Sequence, residues 1–392
     1  MRLVDFYKKN NIIPVVNLGD VSLKKILKQR DDFYRTLSIY SFENKSVLEL
    51  CPGTGVNAFY LLNEKIKNIT LVDINPQSIL QMKNNLNKYS NKKIYSKDIY
   101  KFDTNKKFDY VIIECVLAGM DYPDKILKKL PKYLKKNGVL IFTLTDECAY
   151  ISEKARGLIS KILISEKEKQ KKKKLTFIEK YTYLSKIFDS HLNTLGPNTK
   201  KTEKWIQDNM LQYDWWGKKK YLSLEDSLKP LNIKRNKLSF WSISPQINNS
   251  FLWYKNRSNS KVNDIFINNY RMNKINFIDV RQKYFNTKNI DIQKLLKIVN
   301  NISLHIFKIS SENKAISKAQ LRNIINSFNK LKIFLSNKEK NNKTVKSLAS
   351  LISFLENYSR TNKIKISLLN NFKGWWGHGT KQISLIKNKD IS

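Results

Sequence analysis

Cysteine and histidine are scarce in this chain of 392 residues, with three of each. Cys51, Cys115 and Cys148 lie in or beside apolar runs that read as core strands, and their number and spacing supply neither a disulfide framework nor a zinc site. The histidines are far apart, so no metal centre is expected. No apolar run approaches the roughly 18 residues needed to span a bilayer, and the first residues lack the apolar stretch of a secretory signal. A cytoplasmic protein without a membrane span is the expectation. Acidic residues are few as well: 33 against 73 Lys and Arg, a net charge of +40. A charge of that size draws nucleic acid, acidic glycans or anionic membranes. The alternative is compositional drift toward Lys, Asn and Ile, since only 10 of the 73 basic residues are Arg. Residues 1–150 hold 25 basic and 16 acidic residues and the remainder 48 and 17, so most of the excess lies in the later part.

What is present is concentrated between Ser46 and Pro76. Val47 to Leu50 is a short apolar strand carrying Glu49, Pro52-Gly53-Thr54-Gly55 is a tight turn, and Val56 to Lys67 reads as the crossover helix of a βαβ unit. Gly53 and Gly55 lack a Cβ and let a ligand approach the backbone, beside the unpaired N–H groups of a helix start. The second strand, Asn68 to Ile74, carries Asp73 at its tip, where an acid accepts the hydroxyls of a ribose. A dinucleotide enzyme would need a G-x-G-x-x-G turn, which Pro52 to Asn57 does not supply.

Glu-x-x-x-Gly-x-Gly followed by Val-Asp-Ile-Asn-Pro resembles the class I S-adenosylmethionine (SAM) dependent methyltransferases, with Cys51 standing where that family usually has glycine. The resemblance implies a seven-stranded Rossmann-like α/β sheet that binds SAM. It implies cofactor contacts from Glu49, Cys51, Pro52, Gly53, Thr54 and Gly55, ribose hydrogen bonds from Asp73, and adenine contacts from Ile74, Asp98 and Ile99. A helix ahead of the first strand commonly lids the cofactor in such enzymes and meets its methionine carboxylate, a role assigned here to Arg35 or Tyr34.

Further strands are expected at Lys92 to Ile99, Phe108 to Val116 and Val139 to Leu144, with helices at Pro76 to Lys88 and Lys125 to Lys135. Alternating strand and helix argue for a parallel sheet whose carboxyl ends form the ligand rim. The resemblance also implies a closing antiparallel pair, assigned to Lys237 to Ser244 and Ser250 to Tyr254. The expected domains are a helical lid at 1–45, a SAM-binding core at 46–150, an inserted acceptor-binding cap at 151–236, the closing pair at 237–256 and a mainly helical domain at 257–392. The cap begins with a very basic helix at Ser152 to Lys174.

Methyl transfer is an in-line displacement in which positioning supplies much of the catalysis, and a general base is needed only for a hydroxyl or protonated amine acceptor. Glu114, at the tip of strand four, and His191, in the cap, are the candidate bases, and a hydrogen bond to the cofactor is the other role expected of Glu114. The tip reads Glu114-Cys115-Val116-Leu117, not the Asn/Asp-Pro-Pro-Tyr/Phe signature of enzymes that methylate planar nitrogens in DNA and protein. Trp205, Trp215 and Trp216 are expected to line the acceptor site, because exposed rings stack on sugars and on bases. The expected reaction is methylation of a hydroxyl on a small molecule, sugar or glycan. The alternatives are an RNA methyltransferase using its basic segments to hold phosphates, and a catalytically silent SAM-binding scaffold.

Overall fold

The computed structural model describes residues 3–10, 12, 22–195, 201–244, 259–284, 287–312, 315–338 and 342–388. They divide into two compact units, one built from Met1–Thr145, Leu222–Tyr270 and Thr380–Ser392, the other from Asp146–Tyr221 and Arg271–Gly379.

The first unit is a seven-stranded sheet: β1 Ser46–Leu50, β2 Asn68–Asp73, β3 Lys92–Ser96, β4 Phe108–Ile113, β5 Leu134–Thr145, β6 Leu238–Ser244 and β7 Thr380–Lys387. Their order is β3-β2-β1-β4-β5-β7-β6. The first five are parallel, and β7 runs antiparallel between β5 and β6. All five residues of β1 are buried, as a strand covered on both faces requires. Leu50 lies in register with Val72 on one side and Ile113 on the other, so β1 and β4 flank the point where strand order reverses. Open α/β sheets bind ligands there, beyond the carboxyl ends of the strands.

Three helices matter for the rim. Helix α1, Leu23–Thr36, buries Ile26 and Tyr34, and the Tyr34 ring stacks on Tyr60 at 5.6 Å. Helix α2, Val56–Asn63, follows the glycine turn and is buried along most of its length. Helix α3, Pro76–Asn85, starts on Asn75, whose side chain accepts the Gln77 N–H.

Two expectations change here. The helix expected at Lys125 to Lys135 is a short one, Pro123–Leu127, and a 3₁₀ turn, Leu130–Tyr133. Pro131 has no N–H to continue the ladder, and β5 begins at once at Leu134. The seventh strand comes from Thr380–Lys387, far beyond the pair expected at 237–256, while Ser250 to Tyr254 lies outside the described residues.

The second unit is helical and draws on both segments that were expected to form separate domains, 151–236 and 257–392. Its α4, Glu147–Lys171, is capped by Asp146 and buried from Glu147 through Ile164. The helix read as very basic is therefore the core of this unit over most of its length. Lys154 is buried against Glu147 at 3.1 Å, and Arg156 against Glu153 at 3.0 Å. Arg156 also lies 3.6 Å over the Trp376 ring and donates to the Trp375 carbonyl at 2.6 Å. Four of the lysines after the buried stretch are paired in turn, Lys169 with Glu166, Lys171 and Lys173 with Glu179, and Lys174 with Glu168. Helix α5, Phe177–Leu192, opens on a capping box between Thr176 and Glu179. Helices α6 Asn289–Ser311, α7 Lys318–Ser336 and α8 Lys343–Thr361 each bury one apolar face, with Leu348, Leu351, Ile352 and Leu355 among the buried residues of α8.

Gly157 on α4 makes room for Trp216, since a Cβ there would stand 2.1 Å from the indole Cδ2. Trp216 is fully buried and cannot swing into solvent. Gly157→Ala is therefore expected to destabilise the protein by about 1–3 kcal/mol through overpacking, read as a lower urea midpoint. An unchanged midpoint would mean that the indole relocates freely.

Candidate functional site

At the end of β1 the chain turns through three left-handed residues, Cys51 at φ 58°, Gly53 at φ 59° and Gly55 at φ 78°. The Cys51 N–H donates to the Val72 carbonyl at 2.8 Å, which carries the turn toward β2. Gly55 could not be replaced cheaply: its conformation is left-handed, and a Cβ would meet Met82 Cγ at 2.8 Å. Cys51 adopts its left-handed φ with a side chain, at a cost of roughly 1–2 kcal/mol. Pro52, Gly53, Thr54 and Gly55 are all buried.

Asp73, at the tip of β2, closes this turn. Its Oδ2 accepts the Gly53 N–H at 3.1 Å and its Oδ1 the Asn75 N–H at 2.9 Å. Burial pushes the Asp73 carboxyl up, and the N–H groups of Asn75, Gly53 and Ile74 oppose the shift. Asp98 follows β3 and accepts the Tyr100 N–H at 2.9 Å, with Ile99 buried behind it and Ile74 half-buried after β2. Burial, then the neighbouring carboxylates of Asp73, Asp98 and Glu49, push the Cys51 thiol up. Glu49, Cys51, Asp73 and Asp98 thus converge on one stretch of the rim.

The other side of the rim is a hydrogen-bonded network. Glu114, just past β4, takes the end of the Arg30 guanidinium with both oxygens, at 2.6 and 3.1 Å. Arg30 Nη2 also donates to Asn57 Oδ1 at 2.7 Å, the Tyr34 hydroxyl donates to the same atom at 2.7 Å, and Asn57 Nδ2 donates to Glu49 Oε1 at 2.9 Å. Burial lowers the Arg30 pKa, but Glu114 and Tyr34 outweigh it, and the guanidinium stays charged. Arg30 Nε and Glu49 Oε2 are buried with no hydrogen-bond partner among the described residues. Two unmatched polar atoms on one hydrogen-bonded network, the Arg30 Nε–H and a Glu49 carboxyl oxygen, fit a polar ligand.

Burial pushes the Glu49 carboxyl up to about 8, against the Asn57 hydrogen bond, so the folded protein keeps a proton that the unfolded chain releases near 4.5. The stabilising contribution is complete below the unfolded value and is lost as pH climbs through about 8. Glu49→Gln, which stays neutral, is expected to lose less stability than the wild type between about pH 5 and about pH 8 in urea titrations. Parallel profiles for the two proteins would contradict this.

Three sequence expectations need correction. Arg35 is exposed and pairs with Asp31 at 2.6 Å, so the arginine that reaches the rim from α1 is Arg30. His191 belongs to the second unit and is buried beside Phe188 and Phe372, with ring centroids at 4.9 and 5.8 Å. Burial, then Arg156 and Lys373, lower its pKa to about 2, and an imidazole held neutral that firmly does not serve as a general base at neutral pH. The tryptophans expected to face an acceptor are packed: Trp216 against Gly157, and Trp205 against Phe188 and Trp376. Trp215 is half-buried and donates through Nε1 to the Tyr150 hydroxyl.

Among the described residues, no helix is long and apolar enough to cross a membrane. Residues 41–210 match the model of a family described as a methyltransferase domain. No curated protein matches the chain. Among solved structures it is similar to the N-methyltransferase NodS from Bradyrhizobium japonicum in complex with S-adenosyl-L-homocysteine, at 19% identity over 36% of this chain and 74% of that one, with a TM-score of 0.31. It is also similar to a SAM-dependent methyltransferase from Clostridium acetobutylicum, at 24% identity over 33% and 53% of the two chains, TM-score 0.28. A third is phosphoethanolamine N-methyltransferase 1 from Haemonchus contortus, at 15% identity over 36% and 30%, TM-score 0.30. The chain carries a class I SAM-dependent methyltransferase domain, and the enzyme class is SAM-dependent methyltransferase.

Proposed function

We propose that SAM lies along the carboxyl rim of the first unit and that the protein methylates a hydroxyl of a small molecule, sugar or glycan. The observation that carries the cofactor pose is the convergence of Arg30, Asn57, Glu49 and Glu114 beside the glycine turn. In this pose Asp73 receives the ribose hydroxyls through lone pairs left beside the Gly53 and Asn75 N–H groups. Cys51, Pro52, Gly53, Thr54 and Gly55 shape the floor, and Ile74, Asp98 and Ile99 frame the adenine. Glu49, whose proton leaves as the cation arrives, meets the ammonium of the methionine moiety, and Arg30, in the role first given to Arg35, meets its carboxylate. When bound, SAM supplies a methyl group on a positively charged sulfur. The chain's own part is to orient the acceptor in line with that methyl, exclude water, and let the hydroxyl proton leave.

The tip of β4 supports a hydroxyl acceptor over a planar amine. Beyond Glu114 come Cys115, with φ 54° and its N–H on Thr143 Oγ1, and then a buried apolar turn, Leu117–Gly119. No Pro-Pro-aromatic clamp stands in this stretch. RNA remains a second reading because residues 271–379 carry 21 basic and 5 acidic side chains. The test is SAM labelled in its methyl group, incubated with the full-length protein and an extract of its own cells. The expected product is label in the small-molecule or carbohydrate fraction. Label that ribonuclease removes would overturn the hydroxyl reading in favour of RNA.

A further inference from the structure

Glu114 sits where the proposed cofactor pose needs Arg30 to be free. The guanidinium end, Nη1 and Nη2, is taken by the two Glu114 oxygens at 3.1 and 2.6 Å, and the remaining Nη2 hydrogen goes to Asn57 Oδ1 at 2.7 Å. Bidentate recognition of a carboxylate needs two parallel N–H groups from one edge of the fork. Both edges that include Nη2 are therefore occupied, and the unmatched Nε–H offers one donor only. Glu114 side-chain exposure is 16% and that of Arg30 is 18%, so the pair is little screened by water. A second carboxylate brought to Arg30 in these surroundings would stand against Glu114 as a like charge.

We propose that Glu114 is an internal competitor for the cofactor carboxylate, which takes the Arg30 end from Glu114 on binding and leaves Glu114 free at the tip of β4. This rests on the cofactor pose given above. Asn57 stays as the hinge of the exchange: it holds Arg30 through Nη2 and Glu49 through its own Nδ2, and neither bond involves Glu114. The Tyr34 hydroxyl, bonded to the same Asn57 oxygen, keeps α1 attached while the ion pair opens. No covalent bond changes in this step. One carboxylate replaces another on the same guanidinium, and the displaced one becomes available to orient or accept a proton from the acceptor.

The sign of one affinity change separates this from an ordinary anchoring role. If Glu114 only steadies Arg30 or binds the ligand itself, Glu114→Gln weakens S-adenosylhomocysteine (SAH). If it competes, the neutral amide yields Arg30 more readily and SAH binds more tightly. Titration calorimetry on the full chain would use two probes, SAH and 5′-methylthioadenosine, which keeps the adenosine but lacks the carboxylate. The expected result is SAH bound about tenfold more tightly by Glu114→Gln, with methylthioadenosine unchanged and no gain when Arg30→Met is added. Weaker or unchanged SAH binding, or equal tightening of both probes, would overturn the competition. Failure of the wild type to bind either probe would overturn the cofactor pose itself, a distinct outcome.

Discussion

Arg30→Met is expected to lower the stability of the protein by about 3 kcal/mol, which is a large part of the roughly 5–15 kcal/mol that holds a domain folded. One side chain here satisfies Glu114 through both oxygens and Asn57 Oδ1, and it lies 4.4 Å over the Phe33 ring. Methionine keeps much of the packing volume and removes every donor, leaving the partly buried Glu114 charge unmatched. The lower end of the range for a broken buried pair applies because Glu114 retains some access to water. Adding Glu114→Gln to Arg30→Met is expected to restore part of the loss, since the orphaned charge is then gone. Lysine at position 30 keeps the charge and loses the fork, so it should fall between. Urea denaturation of the four proteins checks the set. A single variant as stable as the wild type would show that water replaces the guanidinium at little cost.

The parallel core of the sheet was legible because its strands are buried on both faces and read as nearly unbroken apolar runs, Val47 to Leu50 and Phe108 to Val116. The glycine turn was legible for a different reason: Gly55 sits where a Cβ has neither room nor a suitable φ. The seventh strand was not, since Thr-Lys-Gln-Ile-Ser-Leu-Ile-Lys alternates and is separated from β6 by more than a hundred residues. Short alternating runs are common in polar sequence, and only the pairing with β5 and β6 selects this one.

Within the site, the arginine was misplaced by one face of a helix. Arg30 and Arg35 are five residues apart, about 140° around the axis. Ile26, Arg30 and Tyr34 fall at four-residue spacing on the face that α1 buries, whereas Arg35 points outward to Asp31. The signal was available: a basic residue inside an apolar stripe is the one turned toward the fold. His191 carried the opposite signal. It continues the buried face of α5 with Leu184 and Phe188, which is a core pattern, and the structure gives it core surroundings. Trp216 could not be read from its neighbours, because what buries it is the absent side chain of Gly157, almost sixty residues earlier.

Asp73→Ala tests the central claim, that the rim of the first unit binds the adenosyl group of SAM. The carboxylate is 6% exposed and fixed by the Gly53 and Asn75 N–H groups, so its free lone pairs are already aimed when a ribose arrives. Charge-assisted hydrogen bonds of this kind contribute roughly 1.5–3 kcal/mol, or about 10- to 150-fold in affinity. Both SAH and 5′-methylthioadenosine carry the ribose, and both should lose affinity together, unlike the pattern expected at Arg30, where only SAH suffers. The most direct measurement is calorimetric titration of both ligands into the wild type and Asp73→Ala, each first shown to be folded by circular dichroism. The account predicts binding by the wild type and a parallel loss of at least about tenfold for both ligands in the variant. Equal affinities in the two proteins would contradict it and remove Asp73, and with it the assigned rim, from the cofactor site.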